Sequence, residues 1–125
     1  MKRIALMLLL IPLFAVSCTR EIDGGFPDKI TFPTEGGEKS YTGEIWISTI
    51  DIHDYDGKGV EVMDKQQDGS IVAEYDWLKV STPDESSSIL NLSAKPNTTG
   101  KSRKLYVNLN FVIGPEYTGI TIVQD

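Results

Sequence analysis

From Lys29 onward, short apolar or β-branched runs alternate with turn signals, and the apolar positions recur with a period near two. The turn signals are Thr34-Glu35-Gly36-Gly37, Asp56-Gly57, Asp68-Gly69, Pro83-Asp84, Pro96-Asn97 and Gly114-Pro115. Between them the pattern predicts strands near 29–33, 39–51, 60–65, 70–80, 88–94, 103–113 and 118–124. No window carries a helical period, and no segment repeats. Seven strands of this kind in about 100 residues predict an all-β fold, an immunoglobulin-like β-sandwich.

The last two strands alternate most clearly. Leu105, Val107, Leu109, Phe111 and Ile113 share one face, and Tyr106, Asn108 and Asn110 share the other. The apolar face is expected to enter the core, together with Ile120 and Ile122 of the final strand. Pairing like faces across an antiparallel ladder sets Phe111 opposite Ile120 and Leu109 opposite Ile122. That register needs a loop or bulge over 114–117.

The first 17 residues follow another pattern. Lys2-Arg3 precedes an apolar stretch from Ile4 to Val16, which reads as an export signal and is too short to span a bilayer as a helix. Ala15-Val16-Ser17-Cys18 resembles a lipobox, the site at which a bacterial lipoprotein is cut and acylated on its cysteine. That resemblance implies residues 1–17 as a signal peptide, acyl chains on Cys18 and attachment to a membrane. Each buried methylene contributes about 0.8 kcal/mol, so two or three chains on one residue hold a protein durably. Thr19 stands where some lipoproteins carry an aspartate that retains them at the inner membrane, which points to the outer membrane or cell surface. Residues 19–27, with Gly24-Gly25 and Pro27, read as a flexible tether reaching at most ~30 Å. The expected organisation is therefore signal 1–17, acylated cysteine and tether 18–27, and one sandwich domain over 28–125.

Charge narrows the choice of partner. Without Lys2 and Arg3, 10 basic residues face 18 acidic ones, a net charge of −8. Lys101-Ser102-Arg103-Lys104 is the densest basic patch, so nucleic acid is not an expected partner. Cys18 is the sole cysteine, which excludes a disulfide within the chain. His53 is the sole histidine, and there is no Gly-x-Ser-x-Gly elbow; with Cys18 acylated, no thiol nucleophile remains. The chain reads as non-catalytic and without a cofactor.

Four motifs, in order, resemble the BACON domain, an immunoglobulin-like module of Bacteroidetes proteins. They are Ile30-Thr31-Phe32-Pro33 with Glu35-Gly36-Gly37; Asp76-Trp77-Leu78-Lys79-Val80-Ser81; Ala94-Lys95-Pro96-Asn97-Thr98 followed by Arg103; and Ile122-Val123-Gln124. Residues 43–70 depart from the pattern, being longer and rich in Asp and Gly. The resemblance implies a carbohydrate-associated module at the cell surface, with glycan binding as its role. Surface proteins are the alternative partners, in a spacer or adaptor role.

Candidate ligand-binding residues are those expected to face outward with chemistry suited to sugars. Trp46 and Tyr106 offer aromatic faces to axial C–H groups, and Asn108 and Asn110 offer amides that both donate and accept. Trp77 reads as a core residue. The acidic stretch Asp51-Ile52-His53-Asp54-Tyr55-Asp56-Gly57 fails the EF-hand pattern, with Ile52 and Met63 where acids are required. No metal site is expected, although Asp51, Asp54 and Asp56 offer three carboxylates close in sequence.

Overall fold

The computed structural model describes residues 24–63, 65–84, 86–112 and 117–125. The signal, Cys18 and the expected inward-facing Ile113 lie outside the described residues. Among the described residues nine strands form two packed sheets: β1 (Lys29–Phe32), β2 (Gly37–Thr42), β3 (Ile47–His53), β4 (Gly59–Val62), β5 (Ile71–Tyr75), β6 (Leu78–Thr82), β7 (Ile89–Ala94), β8 (Arg103–Phe111) and β9 (Tyr117–Gln124). One sheet has the order β1-β9-β8-β3-β4 and the other β2-β7-β6-β5. The fold is the expected immunoglobulin-like β-sandwich, with β1 pairing parallel to β9 and every other pair antiparallel.

Nine strands stand where seven were expected because two of the expected strands are each two. The run 39–51 breaks at Gly43, where the chain leaves β2 in one sheet and enters β3 in the other. A side chain at Gly43 would collide with the Phe26 ring, so the crossing requires glycine. The run 70–80 folds back as a β5–β6 hairpin whose two-residue loop is Asp76-Trp77. Asp76 there adopts a left-handed conformation (φ 55°), which aspartate tolerates better than most residues.

The alternation of β8 holds: Leu105, Val107, Leu109 and Phe111 are buried against Ile120, Ile122, Ile50, Ile52 and the β6–β7 residues Val80, Leu90 and Leu92. The register expected between β8 and β9 does not hold. Val107 faces Ile120, Leu105 faces Ile122 and Leu109 faces Thr118. A slip by an even number of residues leaves every side chain on its own face, so alternation alone could not fix it. The lower end of the ladder fixes it instead, where Arg103 pairs with Gln124 and its Nε donates to Gln124 Oε1 at 2.8 Å.

The packed body begins before residue 28. Phe26 is 3% exposed and stacks on Phe111, with ring centroids 6.3 Å apart. Gly24 is buried, and its carbonyl accepts from the Glu44 N–H at 2.7 Å. A side chain on Gly24 would press into the Phe111 ring, and its φ of 58° also favours glycine. The last residues of the stretch that composition marks as tether are therefore bound to the end of the sandwich formed by Ile47 and Phe111.

Candidate functional site

Strand alternation turns three residues of β3 and three of β8 onto the outer face of the five-stranded sheet. They meet as cross-strand pairs: Thr49 with Asn110, Asp51 with Asn108, and His53 with Tyr106. Asn110 Nδ2 donates to Thr49 Oγ1 at 2.7 Å. His53 stacks on Tyr106, with centroids 5.6 Å apart and planes inclined by 25°. Its Nδ1 lies 3.1 Å from the Asp54 carbonyl and its Nε2 lies 3.2 Å from Asn108 Nδ2. A proton on Nδ1 lets the ring donate to the Asp54 carbonyl, and the tautomer without a proton on Nε2 lets that atom accept from the amide.

β9 completes the site. Thr121 faces Tyr106, and Gly119 faces Asn108. The missing side chain at Gly119 leaves a shallow depression of about 340 Å³ bounded by His53, Tyr106, Asn108 and Thr121. An aromatic ring, an amide, an imidazole and a hydroxyl thus border one open space. This combination can stack on a C–H face and exchange hydrogen bonds with hydroxyls.

The four residues read from the sequence do not form one platform. Tyr106 and Asn108 line the depression, and Asn110 lies one pair further along with its amide held by Thr49. Trp46 is outward as expected, 52% exposed, but it sits beyond β3 next to Val112, whose N–H donates to the Trp46 carbonyl at 3.0 Å. Val112 follows Tyr106 by six residue steps of extended chain, about 20 Å at ~3.4 Å per residue. His53, Gly119 and Thr121 were not singled out as site residues. The signal for His53 was present: Ile50 and Ile52 carry the alternation past residue 51, where the expected strand stopped.

Trp77 is buried as expected, though in the β5–β6 loop and not within a strand, with the Arg103 guanidinium 4.8 Å from its ring centroid. The acidic stretch is a turn closed by its own side chain. Asp54 Oδ1 accepts from the N–H groups of Asp56 and Lys58 at 2.9 and 3.0 Å, and Oδ2 accepts from Tyr75 Oη at 3.4 Å. Among the described residues no group of three or more His, Cys, Asp or Glu is placed to hold a metal ion.

Asp51 is the electrostatic irregularity of this face. Its Oδ1 is buried without a hydrogen-bond donor. Burial foremost, and then the Glu61 carboxylate, push its carboxyl above the usual carboxylate range, against a smaller opposing pull from His53. A carboxyl with a raised folded pKa binds its proton more tightly in the folded state. Its ionisation therefore removes stability as pH rises from near the unfolded value of 3.8. Asp51→Asn is expected to stabilise the domain at neutral pH by up to ~1 kcal/mol, a modest gain because the group is partly solvated. Below pH ~3, where both states are protonated, the gain should vanish. Urea midpoints at the two pH values check this; a less stable Asn variant at neutral pH would contradict it.

A second polar depression, about 360 Å³, lies on the outer face of the other sheet. Ser40, Ser81, Asn91 and Ser93 floor it, with Glu38 and Lys79 at its sides. It has no aromatic side chain.

No family model and no curated protein matches the chain. A solved structure that it resembles is the NMR structure of a protein from Bacteroides thetaiotaomicron, at 19% identity and a TM-score of 0.50, the match covering 81% of this chain and 79% of that one. At that identity the likeness is one of fold: a β-sandwich shared with a Bacteroides protein.

Proposed function

We propose that this protein is a non-catalytic, lipid-anchored module of the bacterial envelope that binds glycans on the outer face of its five-stranded sheet. The anchor is Cys18, and the favoured location is the outer membrane or cell surface. The observation that carries the binding reading is the depression over Gly119, where Tyr106 stands beside Asn108, His53 and Thr121. A sugar ring stacked on Tyr106 would present its hydroxyls to the Asn108 amide and the Thr121 hydroxyl, groups that both donate and accept. The acidic net charge favours neutral glycans over anionic ones.

One shallow depression offers few contacts, and ordering the ligand takes back much of their energy. A single site of this kind is expected to bind with a dissociation constant of about 0.1–1 mM, or roughly −4 to −5.5 kcal/mol. Many anchored copies on one surface raise the effective affinity without a new contact. Titration calorimetry of residues 19–125 against neutral host and plant polysaccharides tests the reading. Tyr106→Ala should abolish the heat, and Gly119→Val should fill the depression and do the same. Binding that survives both substitutions, or no heat with any glycan, would remove this site and leave the spacer or adaptor role ahead.

A further inference from the structure

The exposed apolar side chains are not spread evenly. Trp46, Ile89, Val112 and Tyr117 stand at the end of the sandwich where Gly24 docks, and Met63 lies one residue pair inward. Tyr55, 89% exposed on the β3–β4 turn, is at the opposite end. Isolated exposed apolar residues need no explanation, but a group gathered at one end marks a contact surface.

The chain itself indicates what that surface meets. Gly24 is held at this end by Glu44 and Phe111, and Cys18 lies six residues before it. Six residues span at most ~22 Å even when fully extended. If acyl chains on Cys18 sit in a bilayer, as proposed above, this end cannot move further than that from the headgroups. A nine-residue strand such as β8 is about 30 Å long, so the opposite end projects away.

We propose that the end carrying Trp46, Val112 and Tyr117 rests on the lipid surface, with the Trp46 indole in the headgroup layer. Tryptophan favours that layer because its ring is apolar while its N–H seeks a polar partner. Glu44 and Lys65 flank Trp46 with opposite charges, so the contact does not depend on anionic lipid. The short tether keeps the local lipid concentration high, so one indole and a few aliphatic groups suffice. In this orientation the depression over Gly119 lies midway along the five-stranded sheet, about 14 Å of strand from the docked end.

The test uses the full acylated protein, purified from membranes and reconstituted into phosphatidylcholine vesicles with plain or brominated acyl chains. Brominated lipid is expected to quench most of the emission from Trp46, whereas Trp77, buried at the far end, keeps its emission. Trp46→Ser should remove the quenchable component while leaving the urea midpoint unchanged. A protein that carries acyl label and floats with vesicles, yet shows no quenching, would overturn the docking and leave the anchor intact. Wild-type protein without acyl label, or Cys18→Ser that still floats and is quenched, would overturn the anchor and this proposal with it. Shielding of Trp46 in native membranes but not in lipid vesicles would assign the end to a protein partner and overturn the lipid contact.

Discussion

Replacing Phe111 with alanine is expected to lower the stability of the domain by about 3–5 kcal/mol, the range for deleting a buried aromatic side chain. Phe111 is 3% exposed and joins three parts of the chain at one end of the core. It pairs with Ile47 of β3, stacks on Phe26, and its ring tip fills the space left by the absent side chain of Gly24. The cavity left by alanine would also release the segment before β1, so little collapse can compensate. Tyr106→Ala, on the outer face of the same strand, should cost ~1 kcal/mol, as a partly exposed stacking partner of His53. Urea titrations of both variants decide the matter; equal losses would mean that the two faces of β8 are not inner and outer.

Gln124→Ala is expected to cost roughly 2–4 kcal/mol, because it leaves buried polar groups without partners. The Gln124 side chain is fully buried. Its Nε2 donates to the Lys95 carbonyl at 2.7 Å and to the Pro33 carbonyl at 3.1 Å, while its Oε1 accepts from Arg103. One side chain thus fastens β9 to the β1–β2 turn, the β7–β8 connection and the start of β8. Val123→Ala, its half-buried neighbour, should cost ~1 kcal/mol or less. If the two losses in urea were alike, the amide would not be holding these segments together.

The faces of the strands were legible in the sequence, and so was the sandwich. Alternation placed Leu105, Val107, Leu109, Ile120 and Ile122 inward and Tyr106, Asn108 and Asn110 outward. Strand breaks were less legible, although phase recorded them. Apolar positions fall on Ile71, Ala73 and Tyr75, then resume on Leu78 and Val80, one residue out of step. That slip is the β5–β6 hairpin, hidden because its loop is Asp-Trp without a glycine. A second slip, Ile45 and Ile47 against Ile50 and Ile52, is the irregularity in β3 between Ile47 and Thr49. Register was not legible, since an even slip preserves both faces. The site suffered from the same limit: only pairing could bring Gly119 opposite Asn108 and His53 opposite Tyr106, or set Trp46 apart from them.

The residues that carry the BACON resemblance act on structure in a common region. Trp77 lies under Arg103, Arg103 binds Gln124, and Gln124 binds the Lys95 carbonyl just after Ala94. Asn97 Nδ2 donates to the carbonyls of Lys101 and Asp125 at 2.7 and 3.1 Å, closing the β7–β8 connection over the chain's last residue. These motif positions say how the sheets are joined at one end. The groups that border the depression over Gly119 lie outside them.

The parallel pairing of β1 with β9 bears on mechanical strength. Under the proposed anchoring and ligand binding, the domain would be pulled between its amino terminus and its outer sheet face. Tension entering through Gly24 and Phe26 would run along β1, from Lys29 to Phe32, while β9 is restrained through β8. Such a pull shears the rungs between β1 and β9 together and does not unzip them one by one. Resistance then depends on all the rungs yielding at once, and the first segment to give way would be the short stretch before β1, which would lengthen under drag by drawing Phe26 off Phe111 while the rungs between β1 and β9 hold.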